Sequence, residues 1–159
     1  MRVVLDANQF VSAVLVPVGH PAQILQAWRG QRFDLVLSPS IIAELRQVLL
    51  YPRLQSKHGW SPEQVDAFLA ELVAAAIIVP DGPAVPVVAA DPTDDKYVAC
   101  ALTAGARYIV SGDEHLQKLG EYQGIQIVSP AAFLSLLAED RESGIRELGN
   151  QVTSEGLIP

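Results

Sequence analysis

The chain has 159 residues, of which 50% are hydrophobic and 18% charged, with a formal net charge of −7 and a pI of about 4.8. That is the length of one domain, too apolar to remain disordered and too acidic for a broad electrostatic grip on nucleic acid. The single cysteine, Cys100, excludes a disulfide framework and a multi-cysteine zinc site and suits a reducing cytoplasm, and no apolar run reaches the roughly 18 residues of a membrane span.

Apolar runs alternate with helical patterns along the chain. Arg2–Asp6 reads as a short buried strand that ends on a carboxylate, too soon interrupted by an acid to be a signal peptide. Asn8–Leu15 and Pro21–Arg29 read as helices, the second with Pro21 in its first turn and Gly30 at its stop. Phe33–Leu37 is a second strand. Ser38-Pro39 opens a helix to about Leu50, which Tyr51-Pro52 ends. Ser61-Pro62-Glu63-Gln64 has the pattern of a capping box, and the helix behind it runs to about Ala76. Ile77–Val79 is a third strand, followed by a loop over Pro80–Pro92 that carries four prolines and a short extended piece at Val87-Val88. Thr93–Ala104 is a helix stopped by Gly105, Arg107–Val110 a fourth strand, Glu114–Leu119 a short helix, Ile125–Val128 a fifth strand and Pro130–Ala138 a last helix. From Glu139 the periodicity fades into an acidic tail, read as flexible or ordered only by a partner.

Short continuous apolar strands alternating with helices predict an α/β fold. It is a single domain over residues 1–138 with a central parallel sheet of about five short strands flanked by helices, and a tail over 139–159. In open parallel sheets ligands bind beyond the carboxyl ends of the strands, so the residues just after each strand are where chemistry is sought.

Carboxylates stand there. Asp6 follows the first strand, and Asp113 follows the fourth after Ser111-Gly112. Each, taken alone, is as readily a helix N-cap as a catalytic group. Glu44 is less easily explained. It lies on the apolar stripe of its helix with Ile41, Leu45 and Val48, where a half-buried carboxylate costs several kcal/mol unless a cation or hydrogen-bond donors meet it. Asp95 shares a face with Val98, Ala99 and Leu102 in the same way. Asp91 and Asp94 flank it at the helix start, where capping is the simpler role for Asp91. Four acids from separate segments brought to one sheet edge would repel one another, and a divalent ion would relieve them. All-oxygen ligation suits Mg²⁺ or Mn²⁺, and such a site can activate water against a phosphodiester. His20, His58 and His115 are too scattered for zinc, and neither a Gly-x-Gly-x-x-Gly nor a Walker segment is present. Asp6-Ala7-Asn8 lacks the second aspartate of aspartyl-phosphate phosphatases, and His115 and Lys118 read as a solvated helix face.

At these positions the sequence resembles the PIN-domain family of metal-dependent nucleases. The resemblance is carried by Val3-Val4-Leu5-Asp6-Ala7-Asn8, by Ser38-Pro39-Ser40 leading to Ile42-Ala43-Glu44-Leu45, by Asp91-Pro92-Thr93-Asp94-Asp95 with Tyr97-Val98-Ala99-Cys100-Ala101, and by Ala106–Asp113. It extends over residues 1 to about 138 and looks like the VapC-type toxin branch of prokaryotic toxin–antitoxin pairs. It implies a parallel sheet flanked by helices and an acidic quartet, carried over onto Asp6, Glu44, Asp95 and Asp113, that binds Mg²⁺ or Mn²⁺ and hydrolyses RNA. It further implies that Asn8 tethers Asp6 or a metal-bound water, that Ser111 orients neighbouring carboxylates, and that Asp94 supports the site. A homodimer and a separately encoded antitoxin belong to the same implication. Many relatives carry a hydroxyl residue where this chain has Ala7, and the resemblance does not reach the tail.

The charge is also unevenly spread. Residues 1–60 hold six bases and three acids, residues 61–159 five bases and fifteen acids. Arg46, Arg53 and Lys57 are the candidate RNA phosphate contacts in the basic part. The reading is therefore a cytoplasmic, metal-dependent endoribonuclease acting as a toxin. An RNA-maturation nuclease and a non-catalytic PIN-fold binding or regulatory module are the alternatives. Weak RNA affinity without divalent metal is expected, with a basic antitoxin segment as competitor for the acidic pocket.

Overall fold

The computed structural model of the chain describes residues 1–82 and 94–141. The extended piece expected at Val87-Val88, Asp91 and all of the tail beyond 141 lie outside the described residues. Among the described residues the chain runs β1 (Arg2–Leu5), α1 (Ala7–Leu15), α2 (His20–Arg29), β2 (Asp34–Leu37), α3 (Pro39–Leu49), α4 (Pro52–His58), α5 (Pro62–Ala75) and β3 (Ile77–Ile78). It continues through α6 (Asp95–Ala104), β4 (Tyr108–Val110), α7 (Glu114–Leu119), β5 (Glu121–Tyr122) and β6 (Ile125–Val128), and residues 130–141 form α8. Among the described residues no single helix is long and apolar enough to cross a membrane.

The six strands lie in the order β3-β2-β1-β4-β6-β5. All neighbours are parallel except β5 and β6. Val3, Val4, Leu5, Leu35, Val36, Leu37, Ile109 and Val110 are buried almost completely, as expected of parallel strands covered on both faces. Helix α6 packs against β1, β2 and β4 and also against α3. It is buried nearly all round, at Tyr97, Val98, Ala99, Cys100, Ala101 and Ala104, which makes it the central helix of the fold.

Two elements went unread in the sequence. Pro52 does end the preceding helix, but it also stands in the first turn of α4, whose missing N–H costs nothing there, and Gly59 closes α4 in the left-handed conformation at φ 70°. Strand β5 pairs antiparallel with β6 through the two-residue turn Gln123-Gly124, both at positive φ (49° and 84°). Gln-Gly is a weaker hairpin signal than Asn-Gly, and a two-residue strand leaves no periodicity to read. The expected capping box is present: Gln64 N–H donates to Ser61 Oγ at 3.2 Å, and Ser61 N–H donates to Gln64 Oε1 at 2.8 Å. Ser38 makes no such cap on α3. Asp81, from beyond β3, takes that role by accepting from Ser40 N–H at 3.2 Å and Ser40 Oγ at 2.7 Å, which lowers its carboxyl below the usual value. Ser129 caps α8 through Ala132 N–H at 3.1 Å, and the helix continues past Ala138 to 141.

Candidate active site at the sheet switch point

From β1 the chain builds outward through β2 to β3, then crosses back to lay β4 on the other side of β1. The switch point therefore falls between β1 and β4, and in open α/β sheets ligands bind beyond the carboxyl ends of the strands at such a point. Leu5 pairs in register with Val110, so Asp6 and Ser111 are the next residues at that edge, joined by Asp6 N–H donating to Val110 O at 3.2 Å.

Asp6 is only 3% exposed. Its Oδ1 accepts from Gln9 N–H at 3.2 Å, so it does cap α1, and its Oδ2 accepts from the Ser111 hydroxyl. These bonds favour the carboxylate, but burial outweighs them and the charge of Asp113 adds to burial, so the carboxyl titrates above the usual aspartate value. Asp113 caps α7, its Oδ1 accepting from His115 N–H at 2.8 Å and Leu116 N–H at 3.1 Å. Ser111 links the pair. Fully buried, it donates to Asp6 and accepts from Asp113 N–H at 2.9 Å, while Gln117 Nε2 holds its carbonyl at 2.9 Å. Capping thus accounts for the local geometry of both aspartates. It does not account for one of them being buried beside the other's charge.

Glu44 is half-buried, as its place on the α3 stripe requires, and it is met by both kinds of partner. Tyr97 donates its hydroxyl to Oε2, and the Lys96 ammonium lies 3.0 Å from the same oxygen. The Tyr97 hydroxyl in turn accepts from Ala7 N–H at 3.1 Å. Burial and the Glu44 carboxylate keep this phenol protonated, its titration pushed far upward. Asp95 opens α6 as its first residue, and Asp94 precedes it at the N-cap position without a side-chain capping bond. Both are partly buried. Asn8 is exposed; the bonds to Asp6 come from Gln9 and Ser111 instead.

Of the three basic candidates, Arg46 is tied to Asp66 at 3.0 Å, whereas Arg53 and Lys57 stand exposed on α4. The other N-terminal arginines serve the fold. Arg2 holds the Ala104 carbonyl at 2.7 Å, Arg32 the Leu137 carbonyl at 2.5 Å, and Arg29 the Glu71 carboxylate at 2.8 Å. Cys100 is buried under Ser38, and burial pushes its thiol up to about 12, so it is no nucleophile.

Sequence reading passed over Gln9, Lys96, Tyr97 and Asp81. A signal for Tyr97 existed: an aromatic with a polar tip, on a helix apolar all round, needs a buried partner for its hydroxyl. Among the described residues, no three His, Cys, Asp or Glu side chains already stand close enough together to hold a metal ion. Ser111→Ala would leave Asp6 Oδ2 buried without its donor. We expect a loss of about 1–3 kcal/mol in urea unfolding; unchanged stability would mean that the hydroxyl contributes nothing.

Comparison with known proteins agrees with this fold. The model of the PIN domain matches residues 2–115. Uncharacterized protein MJ1680 of Methanocaldococcus jannaschii is 29% identical over 119 residues, 75% of each chain. Among solved structures, PAE2754 from Pyrobaculum aerophilum superposes with a TM-score of 0.57 at 17% identity, covering 87% of this chain and 90% of that one. VapBC2 from Rickettsia felis, bound to a DNA fragment from their promoter, gives 0.55 at 14% identity over 81% and 98%. FitAcB from Neisseria gonorrhoeae gives 0.51 at 16% identity over 80% and 97%. These three likenesses concern the fold. With the family match over most of its length and the carboxylates at the switch point, the chain belongs to the PIN domain family, whose members are generally nucleases that hydrolyse phosphodiester bonds.

Proposed function

We propose that this protein is a Mg²⁺- or Mn²⁺-dependent endoribonuclease and the toxin of a toxin–antitoxin pair. The observation that carries the reading is Asp6: a carboxylate buried at the switch point, held back from ionising by burial and by the charge of Asp113. A divalent cation relieves both penalties. The donor set is carboxylate oxygen throughout, which fits a hard cation and does not fit zinc. Asp6, Glu44, Asp95 and Asp113 would hold the ion, with Asp94 beside them. When bound, a divalent ion makes a coordinated water more acidic and neutralises charge on a phosphodiester. Arg53 and Lys57, exposed on α4, are then the residues to take RNA phosphates. The likeness to VapBC2 and FitAcB supports a separately encoded antitoxin as the partner. In this proposal a basic segment of that antitoxin would compete for the acidic site, and the nuclease would assemble as a homodimer.

A second reading, a PIN-fold binding module without catalysis, draws on the Lys96 ammonium already paired with Glu44 and on the spacing of the carboxylates. One assay separates the two. Mixed cellular RNA incubated with the protein and Mn²⁺ should be cut, EDTA should stop the cutting, and added Mn²⁺ should restore it. RNA left intact in Mn²⁺, or cut equally in EDTA, would decide against the metal-dependent nuclease. Growth arrest on expression, relieved by the product of a neighbouring gene, is the result expected of a toxin and not of an RNA-maturation enzyme.

A further inference from the structure

Tyr97 is the junction of the site. It is 2% exposed, in the first turn of α6 two residues after Asp95. Its hydroxyl accepts from Ala7 N–H at 3.1 Å, one residue after Asp6, and donates to Glu44 on α3. One oxygen atom thus ties together the three segments that carry Asp6, Glu44 and Asp95. Its hydrogen bonding also divides the Glu44 carboxylate. The Tyr97 hydroxyl and the Lys96 ammonium, 3.0 Å away, both meet Oε2, and among the described residues no donor meets Oε1. A carboxylate gripped by one oxygen keeps the other for a further ligand at little cost in side-chain entropy.

We propose that Tyr97 is a positioning residue of the candidate metal site, its hydroxyl fixing Glu44 against the Asp6 segment so that both carboxylates serve one divalent cation. This rests on the reading of the site as a metal centre. Tyr97 touches neither the ion nor the substrate; it acts through Glu44. The Ala7 N–H fixes the direction of the hydroxyl, because an oxygen that accepts from that amide has its own proton free for Glu44. Lys96 holds the same oxygen from a partly exposed position and offsets part of the charge while no divalent ion is bound.

The test is a double-mutant cycle on Mn²⁺ affinity, measured by calorimetry on the full chain. Tyr97→Phe should weaken Mn²⁺ binding about tenfold, the size seen when an outer-shell partner of a metal ligand is lost. In the Glu44→Gln background, the same change should alter affinity less than about twofold, because Tyr97 then has no carboxylate to position. A full tenfold loss in both backgrounds would overturn the positioning role and leave the metal site standing. No Mn²⁺ binding by the wild-type protein would overturn both.

Tyr97→Phe also strips the Ala7 N–H of its buried acceptor and could prevent folding, so a second measurement keeps the wild-type residue. The chain has four tyrosines. With 3-fluorotyrosine incorporated, the Tyr97 fluorine resonance is identified by replacing Tyr51, Tyr108 and Tyr122 in turn with Phe. It should shift on Mg²⁺ addition in the wild-type protein and stay in place in Glu44→Gln. A Tyr97 resonance that ignores saturating Mg²⁺, or that moves equally in Glu44→Gln, contradicts the proposal.

Discussion

Asp6→Asn is expected to lower RNA cleavage about a thousandfold and, in the same protein, to raise the melting temperature of the metal-free form. Both effects come from one feature. Asn keeps the shape of the side chain and an oxygen for the Gln9 N–H, and it exchanges the acceptor of the Ser111 hydroxyl for an NH₂ that donates to the Ser111 oxygen, but it removes a negative charge from a position that is 3% exposed and lies under the influence of Asp113. Burial, the larger cause, holds the Asp6 carboxyl above the ordinary value of 3.8, so folding favours the protonated group. The sign follows from linkage: its contribution to stability is complete below 3.8 and is withdrawn as the pH rises through its folded-state value. As the pH rises, the wild-type protein therefore loses a stabilising contribution on which Asn does not depend. A gain of roughly 3 °C is the expected size for a domain of this length. The gap should narrow as the buffer is taken from about pH 7 to about pH 4. A variant that loses activity together with stability at neutral pH would instead make Asp6 a structural cap.

Phe133→Ala should cost about 3–5 kcal/mol, the largest stability loss expected of a single truncation in the C-terminal helix. Phe133 is fully buried on α8. Its ring meets Phe33 edge-on, with centroids 5.2 Å apart, and packs against Tyr108 at 6.0 Å. Those neighbours stand at the entry to β2 and at the start of β4, so one side chain fastens the last helix to the middle of the sheet. Arg32 fixes the other end of α8 through the Leu137 carbonyl. Urea unfolding by circular dichroism would read the loss. A cost under about 1 kcal/mol would mean that α8 is an appendage to the domain.

Much of this protein is legible in its sequence because the signals are local. The apolar runs that end in Asp6 and before Ser111-Gly112-Asp113 are short, continuous and bounded by helical patterns, which is the mark of parallel strands. Ser61-x-x-Gln64 and Gly105 announce helix ends through the backbone groups they satisfy or the conformation they permit. Glu44 stood out because a carboxylate on an apolar stripe requires partners, and partners are present. What stayed hidden depends on pairing between distant segments. Nothing near Ser40 announces that Asp81, from beyond β3, will cap α3. Nothing in the N-terminal count of bases tells which arginines the fold will use, and Arg2, Arg29, Arg32 and Arg46 are all used. Gln9 rather than Asn8 turns inward because α1 begins immediately after Asp6, and one helical step decides which amide faces the core.

The balance of charge at this sheet edge follows from the same placement. Without a divalent ion, the excess negative charge is contained by burial at Asp6, by backbone amides at Asp113 and by Lys96 at Glu44. Such an arrangement stores electrostatic cost in the folded protein, as functional sites commonly do. On the proposed function, an acidic protein would hold RNA through cation-bridged phosphate and the exposed Arg53 and Lys57 on α4 rather than through a broad positive face.

The central claim is that the carboxylates of Asp6, Glu44, Asp95 and Asp113 share a divalent cation. The most direct measurement is the anomalous difference map of a Mn²⁺-soaked crystal. The account predicts a peak beyond the carboxyl ends of β1 and β4, within bonding distance of Asp6 and Asp113. Mn²⁺ bound elsewhere on the protein, with that position empty at saturating metal, would contradict it.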